Sequence, residues 1–242
     1  DHEWYTKETK NMSKREIAQE LECNFNMSGD TLIHGKDLTR IESEELEEPE
    51  YKTGFDRNLW IWKQPEDGKK YFLVADVARG DGQDNSTFYV FNSDTMEMCC
   101  EYQGKLPLDS FAKLIYDTSK NYGLCLTVVE NNSVGFTVLT KLKDYGHTKL
   151  YYSKKVSHDY VEQSYAENMD ATVPGFSTTV KTRPMIIAKL EEFIRNKVLK
   201  IKSKRLLNEL KTFIWNHGKA QAMRSYNDDL VMACAIGCWG RD

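Results

Sequence analysis

The 242-residue sequence lacks several features that would place it in a familiar class. No window approaches the run of about 18 apolar residues that a membrane-spanning helix needs, so we expect no membrane partner. The motif G-x-x-x-x-G-K-[ST], which wraps nucleotide phosphates, is absent, and this excludes a P-loop ATPase. A signal peptide is also lacking, and because the chain starts at Asp1 we expect an excised domain.

Cysteine and histidine show no metal-binding pattern. The six cysteines have no paired ligand spacing, and the five histidines are scattered along the chain. Cys125 lies in an apolar run, and Cys234 and Cys238 lie one helical turn apart. Buried free thiols in a reducing compartment are therefore favoured over zinc sites or disulfides.

Charge is present in quantity but is unevenly distributed. Residues 1–60 hold 15 acidic and 8 basic residues, whereas residues 181–224 hold 12 basic and 3 acidic residues. One interpretation is that the basic segment binds a localised anionic partner. The other is that it forms an ordinary solvated helix face, and the charge pattern alone leaves both open.

The pattern of apolar residues predicts an α/β domain. Its strand-like segments are LWIWK, KYFLVAD, STFYVFN, MEMCCEYQGKL, LCLTVVE and KLYYS. Its helix-like segments are LDSFAKLIYDTSKNYG, SVGFTVLTKLKDYG, TRPMIIAKLEEFIRNK and NDDLVMACAIGCWG, while RLLNELKTFIWNHGKAQAM fits a helix or a strand leading into a turn. The order β-β-β-α-β-α-β-α is typical of a ribonuclease H-like fold, with a central mixed sheet flanked by helices.

The region before this domain reads differently. Ser13 and Glu16 fit a capping box and predict a helix over 13–23. Residues 41–57 are acidic, contain a proline and show no clear periodicity, which is typical of a linker. We therefore expect residues 1–58 to be an N-terminal helix and acidic linker, and residues 59–242 to be the main domain.

Carboxylates stand at the ends of three predicted elements. Asp76 ends one strand, Glu130 ends another, and Asp228 and Asp229 open the last helix. Strand ends gather at one edge of an α/β sheet, so these side chains can meet. Their repulsion would raise their pKa values unless Mg²⁺ or Mn²⁺ lay between them. Two such ions, about 4 Å apart, catalyse phosphodiester hydrolysis by in-line displacement.

Each carboxylate also has a purely structural interpretation. Asp76 could supply turn chemistry before the glycines, as could Asp81 and Asp84 in the same turn. Glu130 could support the next helix start, and Asp228 or Asp229 could be an N-cap. Taken together with the order of elements, the metal-site interpretation is favoured, with Asp81 and Asp84 outside the ligand set.

A resemblance to a known family rests on four stretches. They are DVARGDGQDNSTFYV, VVENNSVG, GFSTTVKTRP and YNDDLVMACAIG, in this order. Together they resemble the nuclease domain of the large terminase subunit of T-even-like tailed phages, over residues 60–242. The resemblance implies that Asp76, Glu130 and one or both of Asp228 and Asp229 are the catalytic, metal-binding acids.

The same resemblance implies a biological setting. The expected activity is endonucleolytic cutting of concatemeric double-stranded DNA at the start and end of genome packaging. The expected partners are an ATPase domain of the same polypeptide, the portal and the small terminase subunit. The expected location is the host cytoplasm, on the packaging motor at the prohead, and not in the mature virion.

Basic residues flank the proposed site in the sequence. We expect Lys181 and Arg183 to contact DNA phosphates, because they lie at a predicted helix start beside the GFSTT turn. Further candidates for DNA contact are Lys154, Lys155 and Arg224. Such contacts would bind DNA independently of its sequence.

Two other functions fit parts of the sequence. Actin-like and sugar-kinase ATPases also place an Asp-Gly-rich hairpin after a first strand, but this chain is short for their duplicated lobes. Alternatively, the domain could be a module that holds DNA or docks a portal without cutting. Tight ATP binding would favour the first alternative, and metal-independent DNA binding without cleavage would favour the second.

Overall fold

The computed structural model describes residues 31–79, 82, 84–132, 134–154 and 172–241. The predicted helix over 13–23 and Lys155 lie outside these residues. The helices are α1 (Gly35–Arg40), α2 (Leu108–Asn121), α3 (Gly135–Asp144), α4 (Thr182–Arg195), α5 (Lys204–Thr212) and α6 (Asp229–Arg241). The strands are β1 (Tyr51–Thr53), β2 (Leu59–Ile61), β3 (Tyr71–Asp76), β4 (Ser86–Asn92), β5 (Met98–Gly104), β6 (Leu126–Val129), β7 (Tyr152–Lys154), β8 (Thr172–Pro174), β9 (Phe213–Asn216) and β10 (Lys219–Ala222).

A mixed sheet of six strands forms the centre of the fold, as the sequence predicts. Its strand order is β1-β2-β5-β4-β3-β6, and β3 and β6 are parallel while the other neighbours are antiparallel. Strands β1, β3, β5 and β6 therefore end at one edge, where β2 and β4 begin. We call this the site edge, because Asp76 ends β3 there and Glu130 follows β6 there.

The two faces of the sheet carry separate apolar cores. Alternate residues of β3 point to opposite faces, so that Phe72 and Val74 join one core while Leu73 and Ala75 join the other. The first core contains residues of α4, α5 and α6, and the second contains residues of α2 and α3. Burial on both faces explains the nearly continuous apolar runs that identified these strands.

Helix α6 lies directly on the sheet and is buried along most of its length. Residues Leu230 to Cys238 are all buried, which explains why the last segment is apolar all round. Helix α6 can lie close to the sheet because Gly237 has no side chain; a Cβ at this position would lie 2.9 Å from the Phe91 ring. None of the described helices is long and apolar enough to cross a membrane.

The structure defines two further segments. The strand predicted at KLYYS is found as β7, at Tyr152–Lys154, which pairs with β8 rather than joining the six-stranded sheet, although Leu150 bridges to Thr127 of β6. The segment after Ser203 is a helix followed by a hairpin, α5 and then β9–β10. Ser203 caps α5 by accepting a hydrogen bond from the Leu206 N–H at 3.2 Å.

The acidic segment that was interpreted as a linker is packed onto the domain. Leu38 and Ile41 are fully buried in the first core. The Glu45 carboxylate is buried and accepts a hydrogen bond from the Ile201 N–H at 2.7 Å. Residues 31–58 thus share a core with the rest of the described chain, and the boundary at residue 59 remains a prediction.

Ion pairs between the two halves account for much of the charge asymmetry. Acidic residues 42–47 and strand β5 face the basic segment 200–211. The pairs are Lys200–Glu47 at 2.7 Å, Lys202–Glu97 at 2.6 Å, Arg205–Glu101 at 2.7 Å and Lys211–Glu42 at 2.7 Å. This part of the basic segment is therefore neutralised within the protein.

Candidate active site

Asp76 and Glu130 meet where two parallel strands end. The Glu130 N–H donates to the Ala75 carbonyl at 2.8 Å, which continues the β3–β6 ladder to the site edge. Burial raises the pKa of Asp76 well above its usual range, and the charges of Glu130, Asp229 and Asp228 raise it further. A hydrogen bond between the Asp76 and Glu130 side chains contributes to the same shift. All four predicted acids are thus close enough to interact.

Asp229 is buried at the start of α6 and is held by amide groups. Its Oδ2 accepts hydrogen bonds from the Asn85 N–H at 2.8 Å and from Asn227 Nδ2 at 3.2 Å. Burial raises the pKa of Asp229 to about 6, although the Asn85 bond opposes the shift; nearby Asp84 and Asp228 charges add to it. Asp229 therefore ionises only above mildly acidic pH.

Asp228 faces a cation instead. Its carbonyl accepts the first hydrogen bond of α6, from the Met232 N–H at 2.8 Å, which gives it the N-cap position that the sequence suggested. Its carboxylate forms an ion pair with Arg183 at 2.8 Å. Arg183 was predicted to contact DNA, but here its guanidinium is engaged with one of the candidate metal ligands.

Glu130 is positioned by the turn that follows it. Asn132 Nδ2 donates to Glu130 Oε2 at 3.0 Å, while Asn132 Oδ1 accepts from the Gly135 N–H at 2.7 Å. A Cβ at Gly135 would lie 1.9 Å from the Glu130 carbonyl oxygen, so only glycine fits. The sequence ENNSVG therefore encodes a tight turn that fixes the carboxylate at the site edge.

The GFSTT stretch packs against the same turn. The Phe176 N–H donates to the Val129 carbonyl at 2.8 Å, and the Asn131 N–H donates to the Phe176 carbonyl at 2.6 Å. Gly175 has φ of 86°, and a Cβ there would lie 2.6 Å from the Val129 oxygen. This glycine allows the chain to close against β6 beside Glu130.

The predicted DNA contacts lie in different settings. Lys181 is exposed immediately before α4, Arg224 is exposed after β10, and Lys154 ends β7. The first free N–H groups of α4 were expected to bind phosphate. Those of Thr182 and Arg183 instead donate to Thr179, at 3.1 Å to its hydroxyl and 2.9 Å to its carbonyl.

Three residues that support the site were missed from sequence. Asn85 donates to Asp229 from its backbone N–H at 2.8 Å and more weakly from its side chain at 3.5 Å, and the two residues are 144 positions apart in the sequence. Asn132 stands in a turn-like sequence and could have been recognised as a helix cap. Glu209 lies in α5, far from the other acids in sequence, and no local pattern marks it.

Glu209 is a buried carboxyl group beneath the start of α6. Its Oε2 accepts from the N–H groups of Leu230 and Val231 at 2.8 and 3.1 Å, and its Oε1 accepts from Gln103 Nε2 at 2.8 Å. Burial raises the pKa of Glu209 to about 9, against the hydrogen bonds from Val231 and Leu230. Glu209 therefore caps the helix that carries Asp228 and Asp229.

The donor chemistry of the cluster fits hard divalent cations. Its candidate ligands are carboxylate oxygens, which Mg²⁺ and Mn²⁺ prefer. Within the described part of the chain, no three His, Cys, Asp or Glu side chains stand in a complete coordinating arrangement. Asp228 pairs with Arg183, and Asp229 and Glu130 accept hydrogen bonds from asparagines. Coordination of a cation by Asp228 would require this carboxylate to leave Arg183.

Comparisons with known proteins agree on the fold. No protein-family model and no curated protein matches the sequence. The large terminase nuclease from thermophilic phage G20c with bound magnesium is similar in structure, with a TM-score of 0.65, 16% identity, and coverage of 87% of this chain and 97% of that chain. The Thermus phage P74-26 large terminase nuclease domain has a TM-score of 0.59, 16% identity, and coverage of 83% and 92%.

The G20c nuclease was also solved with bound cobalt. That structure has a TM-score of 0.66, 17% identity, and coverage of 87% of this chain and 97% of that chain. The fold is therefore the ribonuclease H-like fold predicted from the sequence, with a mixed central sheet flanked by helices. It is the fold of the phage large terminase nucleases, and it carries a carboxylate cluster at the site edge.

Proposed function

We propose that this chain is the nuclease domain of a phage large terminase subunit, a divalent-metal-dependent endonuclease that cuts double-stranded DNA. The observation that carries the proposal is the placement of the four candidate acids at one sheet edge. The Glu130 N–H donates to the carbonyl of Ala75, next to Asp76, at 2.8 Å, and the hydroxyl of Thr87, which pairs with Asp76, donates to the Asp229 carbonyl at 3.1 Å. Fold similarity to terminase nucleases adds to it, as does the order of the four motif stretches. Carboxylates that repel one another, with Asp229 buried among them, are costly to keep unless they bind cations.

The four acids have distinct proposed roles. Asp76, Glu130 and Asp229 would hold the divalent cations, and Asp228, which pairs with Arg183, would join them on leaving that ion pair. Bound Mg²⁺ or Mn²⁺ supplies the Lewis acidity and the activated water for phosphodiester hydrolysis. Asn132 orients Glu130, and Asn85 and Asn227 orient Asp229, so the protein holds these oxygens in place.

Arg183 links the metal ligands to the substrate. Its guanidinium pairs with Asp228 at 2.8 Å and is part-buried beside the cluster. With a cation bound by Asp228, Arg183 would be available to bind a DNA phosphate beside the cluster. Lys181, Lys154, Lys155 and Arg224 complete the proposed set of phosphate contacts.

The broader setting of the proposal follows the terminase resemblance. The domain cuts concatemeric DNA when packaging begins and ends, as part of a motor that includes an ATPase domain, the portal and the small terminase subunit. This places it in the host cytoplasm. The alternative of a module that holds DNA or docks a portal stays open; in the acidic N-terminal segment, Glu42, Glu45 and Glu47 pair with residues of the same domain.

Plasmid cleavage tests the proposal. Supercoiled DNA incubated with the protein and Mg²⁺ or Mn²⁺ should be nicked and linearised, and a chelator should stop the reaction. Asp76→Ala should abolish cutting, whereas Asp94→Ala, an exposed acid in the turn after β4 at the opposite sheet edge, should cut as wild type. Undiminished cutting by Asp76→Ala would refute the assignment.

A further inference from the structure

A polar groove lies on the site edge beside the carboxylate cluster. It encloses about 400 Å³. The lining residues that matter here are Phe55, Asp56, Asn58, Asn85, Lys105 and Arg205. The proposed catalytic acids do not line it, so it is a separate surface that the proposed chemistry leaves without a role.

The sheet connects this groove to the cluster. Asn85 lines the groove and also donates its N–H to Asp229 at 2.8 Å. From Asp76 at the end of β3, the next elements along the site edge are the start of β4, the end of β5 and the start of β2. Three strand spacings span roughly 14 Å. A DNA strand covers that distance with roughly two to four nucleotides, depending on its extension.

Arg205 lines the groove and is held in place by its neighbours. Arg205 donates to Glu101 Oε1 at 2.7 Å and to the Asn58 carbonyl at 3.2 Å, and its guanidinium lies 3.7 Å from the Trp60 ring centre. Gly104 has no side chain to fill the groove, and a Cβ at this position would lie 2.5 Å from the Tyr102 hydroxyl. These contacts of Arg205 hold its side chain in a fixed position at the groove, and buried Glu101 balances its charge.

The rim carries the groups that could contact an anionic strand. Lys105 is exposed immediately after β5, and among the described ion pairs none involves it. Phe55 is 75% exposed and follows β1 at the same edge. A lysine and an exposed aromatic ring beside a polar groove are the pair used for strand binding, where the cation takes a phosphate and the ring takes a base.

We propose that this groove holds the DNA strand roughly two to four nucleotides from the scissile phosphate. Lys105 contacts a backbone phosphate, and Phe55 packs against a base or sugar of the same strand. Asp56 on the rim opposes the phosphate charge and limits the affinity. This inference rests on the proposed nuclease function, and it adds a substrate-contact surface on the side of β2 and β5, away from Arg183.

The test measures binding of a short labelled DNA duplex in the Asp76→Ala background, so that cutting does not intervene. Lys105→Ala should weaken binding about fivefold and reduce the slope of affinity against salt by about one ion. Phe55→Ala should weaken it about threefold with little change in the salt slope. Asp56→Asn should tighten it about twofold, and asparagine tolerates the φ of 54° at this position.

Lys70→Ala is the matched control. Lys70 is exposed immediately before β3, at the opposite sheet edge, and should leave binding unchanged. A second measurement locates the contact: an uncharged methylphosphonate placed two to four nucleotides from the cut should weaken wild-type binding but should not further weaken Lys105→Ala. Thermal melting of each variant verifies folding; the side chains of Lys105, Phe55, Asp56 and Lys70 are all exposed, and Asp76→Ala is common to every protein compared.

The outcomes separate the two proposals. Wild-type affinity in Lys105→Ala and Phe55→Ala, in a protein whose wild-type form cuts DNA, overturns the groove and leaves the nuclease function standing. A wild-type protein that neither binds nor cuts DNA overturns both. A methylphosphonate effect that is equal in wild type and Lys105→Ala also rejects the assigned contact.

Discussion

At the scale of single residues, the candidate ligands occupy unequal environments. Asp76 is the group most affected by burial and by neighbouring acids, and its pKa rises accordingly. Asp229 is buried but held by amides, and Asp228 has its own cation in Arg183. These differences lead to two predictions, one for pH and one for Arg183.

Metal affinity should rise with pH, most steeply below about pH 6. Burial raises the pKa of Asp229 to about 6, so the carboxyl must lose a proton before it can bind a cation in that range. The stability of the fold should change with pH in the opposite direction. Because the pKa of Asp229 is raised in the folded protein, its protonated form stabilises the fold at low pH, and this stability is lost as pH rises through about 6. Mn²⁺ titrations between pH 5 and 8 measure the effect.

A specific control accompanies this titration. Asn227 donates to Asp229 at 3.2 Å and thereby lowers the pKa of that carboxyl, so Asn227→Ala should move the steep part of the curve to higher pH. Affinity that is independent of pH across the whole range would contradict the assignment of buried, protonated acids to the metal site.

Removing Arg183 should separate its effects on metal and on DNA. Its guanidinium is part-buried at 2.8 Å from Asp228 and competes with a cation for that carboxylate. Arg183→Ala should tighten Mn²⁺ binding by about fivefold, equivalent to about 1 kcal/mol for a part-exposed pair. DNA binding should weaken, because a phosphate contact is lost. Calorimetry and DNA binding assays check the two effects, and weaker metal binding would contradict the competition.

At the scale of secondary-structure elements, the start of α6 depends on another helix. Glu209 of α5 accepts from the Leu230 and Val231 N–H groups, which the helix itself leaves without acceptors. The two candidate metal ligands at the start of α6 are therefore positioned by a carboxyl group from elsewhere in the chain. The proposed chemistry needs this cap although Glu209 contacts no substrate.

Two substitutions at Glu209 should have opposite effects. Glu209→Ala leaves two buried N–H groups unsatisfied and should cost about 2–4 kcal/mol, with weaker Mn²⁺ binding. Glu209→Gln keeps a neutral acceptor. Because burial raises the pKa of Glu209 to about 9, the wild-type protein should lose stability as pH rises from about 5 to 9, and Glu209→Gln should not.

Thermal melting at pH 5 and pH 9 distinguishes these cases. Glu209→Gln should match wild type at the lower pH and exceed it at the higher pH. A parallel decline of wild type and Glu209→Gln would show that the carboxyl is ionised throughout and that its cap is a charged one.

At the scale of the whole molecule, ion pairs of Lys202 connect the acidic segment over 41–47 with the start of β5 and with the basic segment over 200–211. Lys202 is 2% exposed and pairs with Glu97 at 2.6 Å and Glu47 at 3.1 Å. Trp62 Nε1 donates to the Glu47 carbonyl at 2.8 Å and so fixes the same segment. The acidic residues thus hold residues 41–47 on the domain.

Lys202→Ala should destabilise the domain strongly. It leaves two part-exposed carboxylates without their shared buried cation, which should cost about 2 kcal/mol after solvent screening and lower Tm by about 4–8 °C. Lys200→Ala is the matched control, because Lys200 is half-exposed, pairs with the same Glu47 and should cost less than about 1 kcal/mol. Denaturant unfolding of both variants measures the difference, and equal losses would mean that burial of Lys202 has no role.

The elements predicted best from sequence are those with the strongest local pattern. The central strands have continuous apolar runs, α2 and α3 end at Gly123 and Gly146 in the left-handed region as expected, and the order of elements gave the fold. The packing of Glu45 and Glu47 on the domain was not predicted, because acidic residues look solvated in the sequence when their partners are about 150 positions away.

The sequence by itself determined the sheet, the helices around it and the placement of acids at strand and helix ends, because each is encoded by periodicity and by residues adjacent in the chain. Only the tertiary structure decided that Arg183 pairs with Asp228, that Glu209 caps α6 and that Phe55 and Lys105 share a groove. These are contacts between distant residues, whose energies depend on distance and burial, and neither quantity is written in local sequence.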